Sequence, residues 1–301
     1  MALIECVANV SEGRRTDVIE KLARNIRHVQ GVRLLDYSSD RDHNRSVFSI
    51  VGDAAALQQA VFSLFDGALA EMDLRTHTGA HPRLGAIDVV PFIPIEGASM
   101  EACVALARAT GAEIARRFQV PVYLYEEAST DPTRRNLEDV RRGQFEGLPA
   151  KMARPSWAPD YGPRAVHPRA GASIVGARMP LIAYNINLST SRLEVAQRIA
   201  ATVRHSGGGL PHVKAMGVAL HDRGIVQVSM NLTNYEATPI ISVFHAVCQE
   251  AHRHGVEPLE NEIVGLVPQA ALAGLSESFT RLGPIREDHI LETKIRQTRG
   301  G

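Results

Sequence analysis

The chain has 301 residues, of which 45% are hydrophobic and 22% are charged, and its 33 Lys and Arg residues equal its 33 Asp and Glu residues in number. This composition is typical of a globular protein with one large core or two ordinary ones. The formal net charge of zero provides no overall attraction to nucleic acid or to an anionic membrane. We therefore expect small-molecule partners, no nucleic acid and no membrane.

The three cysteines indicate a reducing compartment. Cys6, Cys103 and Cys248 are odd in number, lie far apart and each sit in an apolar run, which fits reduced core thiols better than disulfides or a zinc site. The N-terminus lacks the basic and apolar regions of a signal peptide, and no apolar run approaches membrane-spanning length. A soluble, cytoplasmic protein is the expectation.

The first part of the chain predicts the element order β-α-β-β-α-β. The elements are a strand at 3–10, an amphipathic helix at 16–28, strands at 32–37 and 47–51 joined by a polar loop at 38–45, a helix at 55–71 and a strand at 87–95. This order is the split β-α-β unit, with antiparallel strands and two helices on one face.

The middle of the chain predicts a helix at 100–118, a strand at 120–125, a short helix near 136–145 and a loop at 155–171. The loop is rich in glycine and proline, yet it contains Trp157 and Tyr161, which a simple spacer does not need. Because long ordered loops are usually functional, we interpret this one as a binding segment. A disordered linker is the alternative.

The β-α-β-β-α-β order then recurs. The predicted elements are a strand at 181–188, a helix opened by a capping box at 191–194 and running to 204, strands at 214–220 and 225–232 flanking the turn 222–224, a helix at 239–252 and a strand at 262–267. We predict an α/β (α+β) protein of two subdomains, 1–179 and 180–301, each with a mainly antiparallel sheet covered by helices.

The strongest chemical feature is a histidine in a loop with a constrained backbone. His81 precedes Pro82, which disfavours helical angles at residue 81, and Gly79 and Gly85 permit bends on either side. Histidine can take and return a proton near neutral pH, and Arg83 supplies a cation that can hold a carboxylate. The segment indicates an acid/base centre with an anion anchor. The alternative is a loop histidine bonded to nearby backbone.

The other candidate sites give a weaker signal. His77 and His81 have a spacing of four, but the glycine and proline around them disfavour the helix that a metal site would need, so we expect no metal. Nucleotide-binding glycine motifs and the Gly-x-Ser-x-Gly of serine hydrolases are missing from the sequence.

Cations gather in and after the long loop. Arg164, His167, Arg169 and Arg178, together with the two loop aromatics, suit a ligand with a flat ring at one end and carboxylates at the other. The alternative is a basic surface loop balanced by nearby acidic residues.

Motifs along nearly the whole chain resemble those of the glutamate formiminotransferase family. They are the segments 5–14, 43–47, 79–94, 120–125, 157–163, 176–178, 185–188, 227–232 and 262–268. The resemblance implies transfer of the formimino group from N-formimino-L-glutamate to N5 of tetrahydrofolate, in histidine degradation and one-carbon metabolism. It also implies a homodimer with tetrahydrofolate as co-substrate and no metal. Bifunctional members carry a cyclodeaminase domain as well, and we expect that activity to be absent here.

The resemblance also implies roles for particular residues. The family's catalytic histidine matches His81. Its folate-binding loop matches Gly162, Pro163, Arg164, Ala165, Val166, His167, Pro168, Arg169, Ala170 and Gly171. One histidine can take the proton from N5 and return it to the leaving glutamate nitrogen. Arg45, Arg83 and Arg178 are candidates for binding the substrate carboxylates.

The sequence departs from the family at a few positions. Ala80 stands where the family usually has glutamate before His-Pro-Arg, and Ser38 and Ser39 occupy a position where animal members carry an acidic residue near the active site. The first change removes a possible orienting group for His81. Two alternatives keep the folate site: cyclisation of 5-formyltetrahydrofolate, or folate binding without catalysis.

Overall fold

The computed structural model describes residues 2–298, and the chain divides into two compact units. The first unit extends to Arg178 and the second begins at Met179. None of the helices within the described range has the length and apolarity needed to cross a membrane.

The first unit has six strands and five helices among its described residues. Its elements are β1 (Leu3–Val10), α1 (Thr16–Arg27), β2 (Val32–Asp40), β3 (Arg45–Gly52), α2 (Ala54–Glu71), β4 (Ile87–Glu96), α3 (Met100–Phe118), β5 (Val122–Glu126), α4 (Leu137–Arg141), α5 (Gln144–Met152) and β6 (Ser173–Ala177). Strand alternation places alternate side chains of β1 on the helix-covered face, because successive side chains of a strand point to opposite faces. Ile4, Cys6, Ala8 and Val10 are accordingly buried in the main core.

The first sheet has the strand order β2-β3-β1-β4-β6-β5. The pairs β2/β3, β3/β1 and β1/β4 are antiparallel, whereas β6 pairs in parallel with both β4 and β5. A second, smaller core includes Tyr123 and Tyr125 of β5 together with Val140 of α4 and Leu148 of α5. Helices α4 and α5 therefore provide apolar cover for the β5 end of the sheet.

Three features of the first unit differ from the prediction. The polar loop expected at 38–45 is only a turn at 41–44, because the backbone ladder of β2 and β3 continues through polar residues to the pair Asp40 and Arg45. Strand β6 was missed because a short strand buried on both sides lacks alternation. The short helix expected near 136–145 is two helices, α4 and α5.

The second unit repeats the core arrangement. Its elements are β7 (Ile182–Leu188), α6 (Leu193–Val203), β8 (Val213–Leu220), β9 (Ile225–Leu232), α7 (Ile240–Arg253), β10 (Pro258–Val264), α8 (Glu277–Leu282) and α9 (Leu291–Gln297). The sheet order is β10-β7-β9-β8 and all its pairs are antiparallel. The predicted α+β fold, with mainly antiparallel sheets covered by helices, is confirmed.

Details of the second unit differ from the prediction. Arg192, not Ser191, is the N-cap residue of α6, and its side chain makes no capping hydrogen bond, so the predicted capping box was wrong. The last strand begins and ends earlier than expected, because Pro258 already pairs with Leu188 and Val267 forms only an isolated bridge with Ile290. Helices α8 and α9 carried no sequence prediction.

Candidate active site

The loop that carries His81 is fixed to the turn between β2 and β3. Ala80 donates its backbone N–H to the Asp42 carbonyl at 3.1 Å, and the Asn44 amide donates to the Thr78 carbonyl at 2.9 Å. A Cβ on Gly79 would lie 2.4 Å from the His43 carbonyl oxygen, so only glycine allows this approach. Both segments are therefore held in one arrangement by backbone packing.

Arg83 is buried and all five of its N–H donors are engaged. Its Nε donates to His77 Nδ1 at 3.1 Å, and its terminal nitrogens reach the Glu146 carboxylate at 2.9 and 2.6 Å, the Gln144 side chain and the His77 carbonyl. Guanidinium has five donors, so none is left for a substrate carboxylate in this arrangement. Arg83 fixes the loop and the side chain of His77.

His77 is held as a neutral imidazole. Its Nε2 lies 3.1 Å from the Asn44 carbonyl and must donate, while its Nδ1 accepts from Arg83. Burial lowers the pKa of His77, and the positive charge of Arg83 contributes. With both ring nitrogens occupied, His77 is unsuited to move a proton.

His81 faces a recess bordered by charged groups from β3, β4 and the loop. His43, Arg45 and Asp88 are among the residues that line it with His81. Burial lowers the pKa of His81 to about 3, and the positive charges of Arg45 and Arg141 add to this effect. The imidazole is therefore neutral at neutral pH and can accept a proton.

Asp88 links the loop to the cations beside His81. Its Oδ1 accepts the backbone N–H groups of Leu84 and Gly85 at 2.6 and 3.2 Å, and its Oδ2 accepts from Arg141 at 2.5 Å. Among residues 2–298, the buried Nε atoms of Arg45 and Arg141 have no hydrogen-bond partner. Unpaired guanidinium donors beside a recess are suited to bind a carboxylate.

The predicted folate loop is joined to the same segment. Ala86 donates its N–H to the Ala170 carbonyl at 2.9 Å, and Ala172 donates to the Leu84 carbonyl at 3.1 Å. Gly171 has a φ of +71° and a Cβ there would lie 2.2 Å from the Leu84 oxygen. The structure thus brings the end of the loop next to the residues that follow His81.

The loop is ordered by its own contacts and is not a disordered linker. His167 Nδ1 accepts the backbone N–H groups of Arg169 and Ala170 at 3.3 and 2.9 Å, so its Nε2 is the protonated nitrogen. Arg164 is exposed, whereas Arg169 Nε lies 3.7 Å from Asp73 Oδ2. Cationic groups are therefore presented along the loop.

Trp157 and Tyr161 have packing partners in the first unit. Tyr123 donates its hydroxyl to the Trp157 carbonyl at 2.8 Å, and the Lys151 Nζ lies 3.7 Å from the centre of the indole ring. Tyr161 packs against the main core. Both rings anchor the start of the loop.

Arg178 lies outside the recess. Its backbone N–H donates to the carbonyl of Phe92 in β4. Asp88, which lines the recess, lies four residues earlier in the same strand. Burial raises the pKa of Tyr125 to about 12, and nearby Arg178 opposes this rise. Within the first unit the structure does not bring Arg178 to His81.

Family models match both compact units. Residues 3–178 match the formiminotransferase domain, N-terminal subdomain, and residues 183–295 match the formiminotransferase domain. The chain belongs to the formiminotransferase family. The resemblance stated from the motifs is confirmed.

Named relatives in this family are similar over the full chain. The glutamate formimidoyltransferase of Streptococcus pyogenes serotype M1 is 44% identical, over 96% of this chain and 99% of the relative. That of Thermoplasma acidophilum is also 44% identical, over 98% of each chain. The formimidoyltransferase-cyclodeaminase of Gallus gallus is 40% identical, over 97% of this chain but 56% of its own length.

Several charged residues of this candidate site were missed by sequence reasoning. They are Asp40, His43, Asp88, Arg141 and Glu146. Only Asp88 gave a usable signal, because a single carboxylate inside the apolar run 87–93 is unusual unless it has a partner. The described part of the chain contains no group of three or more His, Cys, Asp or Glu side chains that could hold a metal ion.

Proposed function

We propose that this chain transfers the formimino group of N-formimino-L-glutamate to N5 of tetrahydrofolate, giving 5-formiminotetrahydrofolate and L-glutamate. As a member of its family, the chain is a formimidoyl-group transferase. The observation that carries the proposal is the pair of backbone hydrogen bonds that join the segment after His81 to the end of the loop at 162–171. It supports a reacting imidazole beside a folate-binding loop.

The reaction needs one proton to leave and one to arrive. N5 of the reduced pterin attacks the formimino carbon and loses a proton as the new C–N bond forms. The bond to the glutamate nitrogen then breaks, and that nitrogen gains a proton. A neutral His81 is in the form required to accept the proton from N5.

The negative charge of the donor substrate can raise the pKa of His81. Arg45 and Arg141 lower the pKa of His81 in the free protein, and both have an unpaired Nε. A substrate carboxylate bound by either guanidinium would offset the positive charge and raise the basicity of His81 once the donor is present. Arg45 thus remains our proposed carboxylate ligand, and Arg141 joins it.

The other candidate residues would bind folate or hold the loop. The loop from Gly162 to Gly171 would bind the folate, with Arg164 and Arg169 meeting its carboxylates. Arg83 is reassigned from carboxylate binding to holding the loop, because its donors are engaged. A role for Arg178 in carboxylate binding stays a prediction.

Organisation and location are part of the proposal. The two compact units would be the N- and C-terminal subdomains of one transferase domain, in a cytoplasmic homodimer. Each sheet needs cover on both faces, which motivates an assembly. Light scattering at micromolar concentration should give twice the chain mass, and a monomer mass would contradict the dimer.

The assay uses purified protein, tetrahydrofolate and formiminoglutamate. We expect 5-formiminotetrahydrofolate and glutamate in equal amounts, and a loss of about 10²–10⁴-fold in kcat for His81→Ala with an unchanged circular dichroism spectrum. His252→Ala is the control, since His252 pairs with Glu257 in the second unit. Conversion of 5-formyltetrahydrofolate without transfer would favour cyclisation, and folate binding without any turnover would favour a non-catalytic protein.

A further inference from the structure

A second histidine lies beside His81 and has its own carboxylate. The rings of His43 and His81 meet edge to face, with centroids 6.0 Å apart, and both line the same recess. His43 Nδ1 lies 2.8 Å from Asp40 Oδ2. The carboxylate–imidazole pair of Asp40 and His43 therefore lies directly beside the proposed base.

Backbone contacts fix the pair in this position. Asp40 Oδ1 accepts the backbone N–H groups of Asp42 and His43 at 2.9 and 2.8 Å, so the carboxylate is oriented by the turn that it caps. That turn is locked to the His81 loop through Gly79 and Ala80. The His43 ring therefore keeps a defined relation to His81.

The surroundings of the two imidazoles differ. His43 has 51% of its side chain exposed and contacts an acidic partner, whereas His81 is mostly buried and lies near Arg45 and Arg141. Asp88 on β4, and His77 and Arg83 in the loop, complete the titratable and charged groups that line the recess with them. Carboxylate contact at Nδ1 leaves Nε2 of His43 as the nitrogen that can carry a transferable proton.

We propose that His43 is the general acid of the same reaction, protonating the departing glutamate nitrogen, and that Asp40 is its positioning residue. This inference rests on the proposed function and changes its proton path. His81 takes the proton from N5 as the new bond forms, and His43 gives its Nε2 proton to the glutamate nitrogen as the old bond breaks. Transfer of one proton from His81 to His43 then restores both residues, so the cycle consumes no proton.

Two imidazoles that line one recess can divide the two proton transfers between them. His43 contacts a carboxylate whereas His81 lies near two arginines, and titratable groups in different surroundings can take separate acid and base roles.

The test compares His43→Ala and Asp40→Asn with the matched control His252→Ala. His252 is also an exposed histidine with a carboxylate partner, at 3.1 Å from Glu257. For His43→Ala we expect kcat to fall by about 10²-fold and the basic limb of the kcat/KM profile to disappear. Millimolar imidazole should restore part of the rate, which it cannot do for a purely structural residue. Asp40→Asn should keep both limbs and lose about tenfold in kcat, since His43 stays in place but loses its carboxylate partner.

Two results would overturn the inference. One is a His43→Ala enzyme that keeps the wild-type kcat and basic limb, and the other is a loss of rate with the basic limb retained. His43→Asn, with thermal unfolding of each variant, excludes misfolding as the cause. Wild-type protein without transfer activity would defeat the proposed function itself, whereas active wild type with inactive His81→Ala and fully active His43→Ala would defeat the general-acid role alone.

Discussion

The two units share a four-stranded topology but differ in the connection that leads to its last strand. The order β2-β3-β1-β4 of the first sheet matches β8-β9-β7-β10 of the second. In the first unit residues 72–86 connect α2 to β4, whereas residues 254–257 make the corresponding connection between α7 and β10. The long connection carries His77, His81 and Arg83, and the short one carries none of the proposed catalytic groups.

The buried polar groups follow the same division. The buried charged residues described in the first unit are Glu5, Glu12, Arg83, Asp88 and Arg134, while the buried polar residues described in the second unit are the uncharged Asn187, Gln227, Thr238 and Asn261. Buried charges need partners, which the long connection finds in β4, α4 and α5. The repeated sheets form the packed cores, whereas the extended connection of the first unit carries the proposed catalytic base.

Gly79→Ala should have the largest effect, because it displaces the long connection that is found in the first unit. The added Cβ would lie 2.4 Å from the His43 carbonyl oxygen, so the loop and the turn must separate. A displacement of about 1 Å at a reacting group can cost about 10²-fold, and we expect a loss of kcat of that order in the formimino-transfer assay. Gly147→Ala is the control, because a Cβ there would meet nothing within 4 Å. Equal activities for the two variants would show that the loop is not held by this contact.

Arg45→Met should act on the donor substrate. It removes a guanidinium whose buried Nε has no partner, and loss of a charge-assisted contact corresponds to about 1–3 kcal/mol, so KM for formiminoglutamate should rise about 10–100-fold. Steady-state kinetics at saturating tetrahydrofolate measures this. Arg223→Met in the second unit, where Arg223 pairs with Glu260, should leave KM unchanged. An unchanged KM for Arg45→Met would place the donor carboxylates elsewhere.

Replacing Arg164 and Arg169 together by alanine should have a smaller effect, confined to folate. Arg164 is exposed and Arg169 is shared with Asp73, so the double change should weaken binding by about 1–2 kcal/mol, or roughly tenfold. Calorimetry with 5-formyltetrahydrofolate measures the affinity, and turnover at saturating folate should change much less. Unaltered affinity would mean that neither arginine contacts the ligand.

Local patterns made much of the fold predictable. Helix α3 was predicted with its observed bounds, and in the structure Ser99 caps its start and Gln119 adopts left-handed angles at its end. Strand β1 follows from alternation. Strand β6 has five residues buried on both sides, and nothing in its local pattern separates it from other apolar runs.

The candidate site was predictable only where backbone chemistry marks it. Glycine and proline identified the His81 loop, but its partners are distant in sequence: Glu146 lies 63 residues from Arg83, and Arg141 lies 53 residues from Asp88. A single sequence contains no signal that joins such positions. The sequence therefore indicated His81 as a base, but only the fold shows that Arg45 and Arg141 lie near it and lower its pKa.

The most direct test of the account is an NMR titration of His81, with and without L-glutamate as a carboxylate ligand. The account predicts a neutral imidazole from about pH 8 down to about pH 5 in the free protein, because burial and two nearby arginines lower its pKa to about 3. Glutamate should raise the pKa of His81 in the wild type, and Arg45→Met should raise it without ligand. A pKa near the ordinary value of 6.5 that neither ligand nor substitution moves would contradict the claim that this loop builds a charge-tuned base.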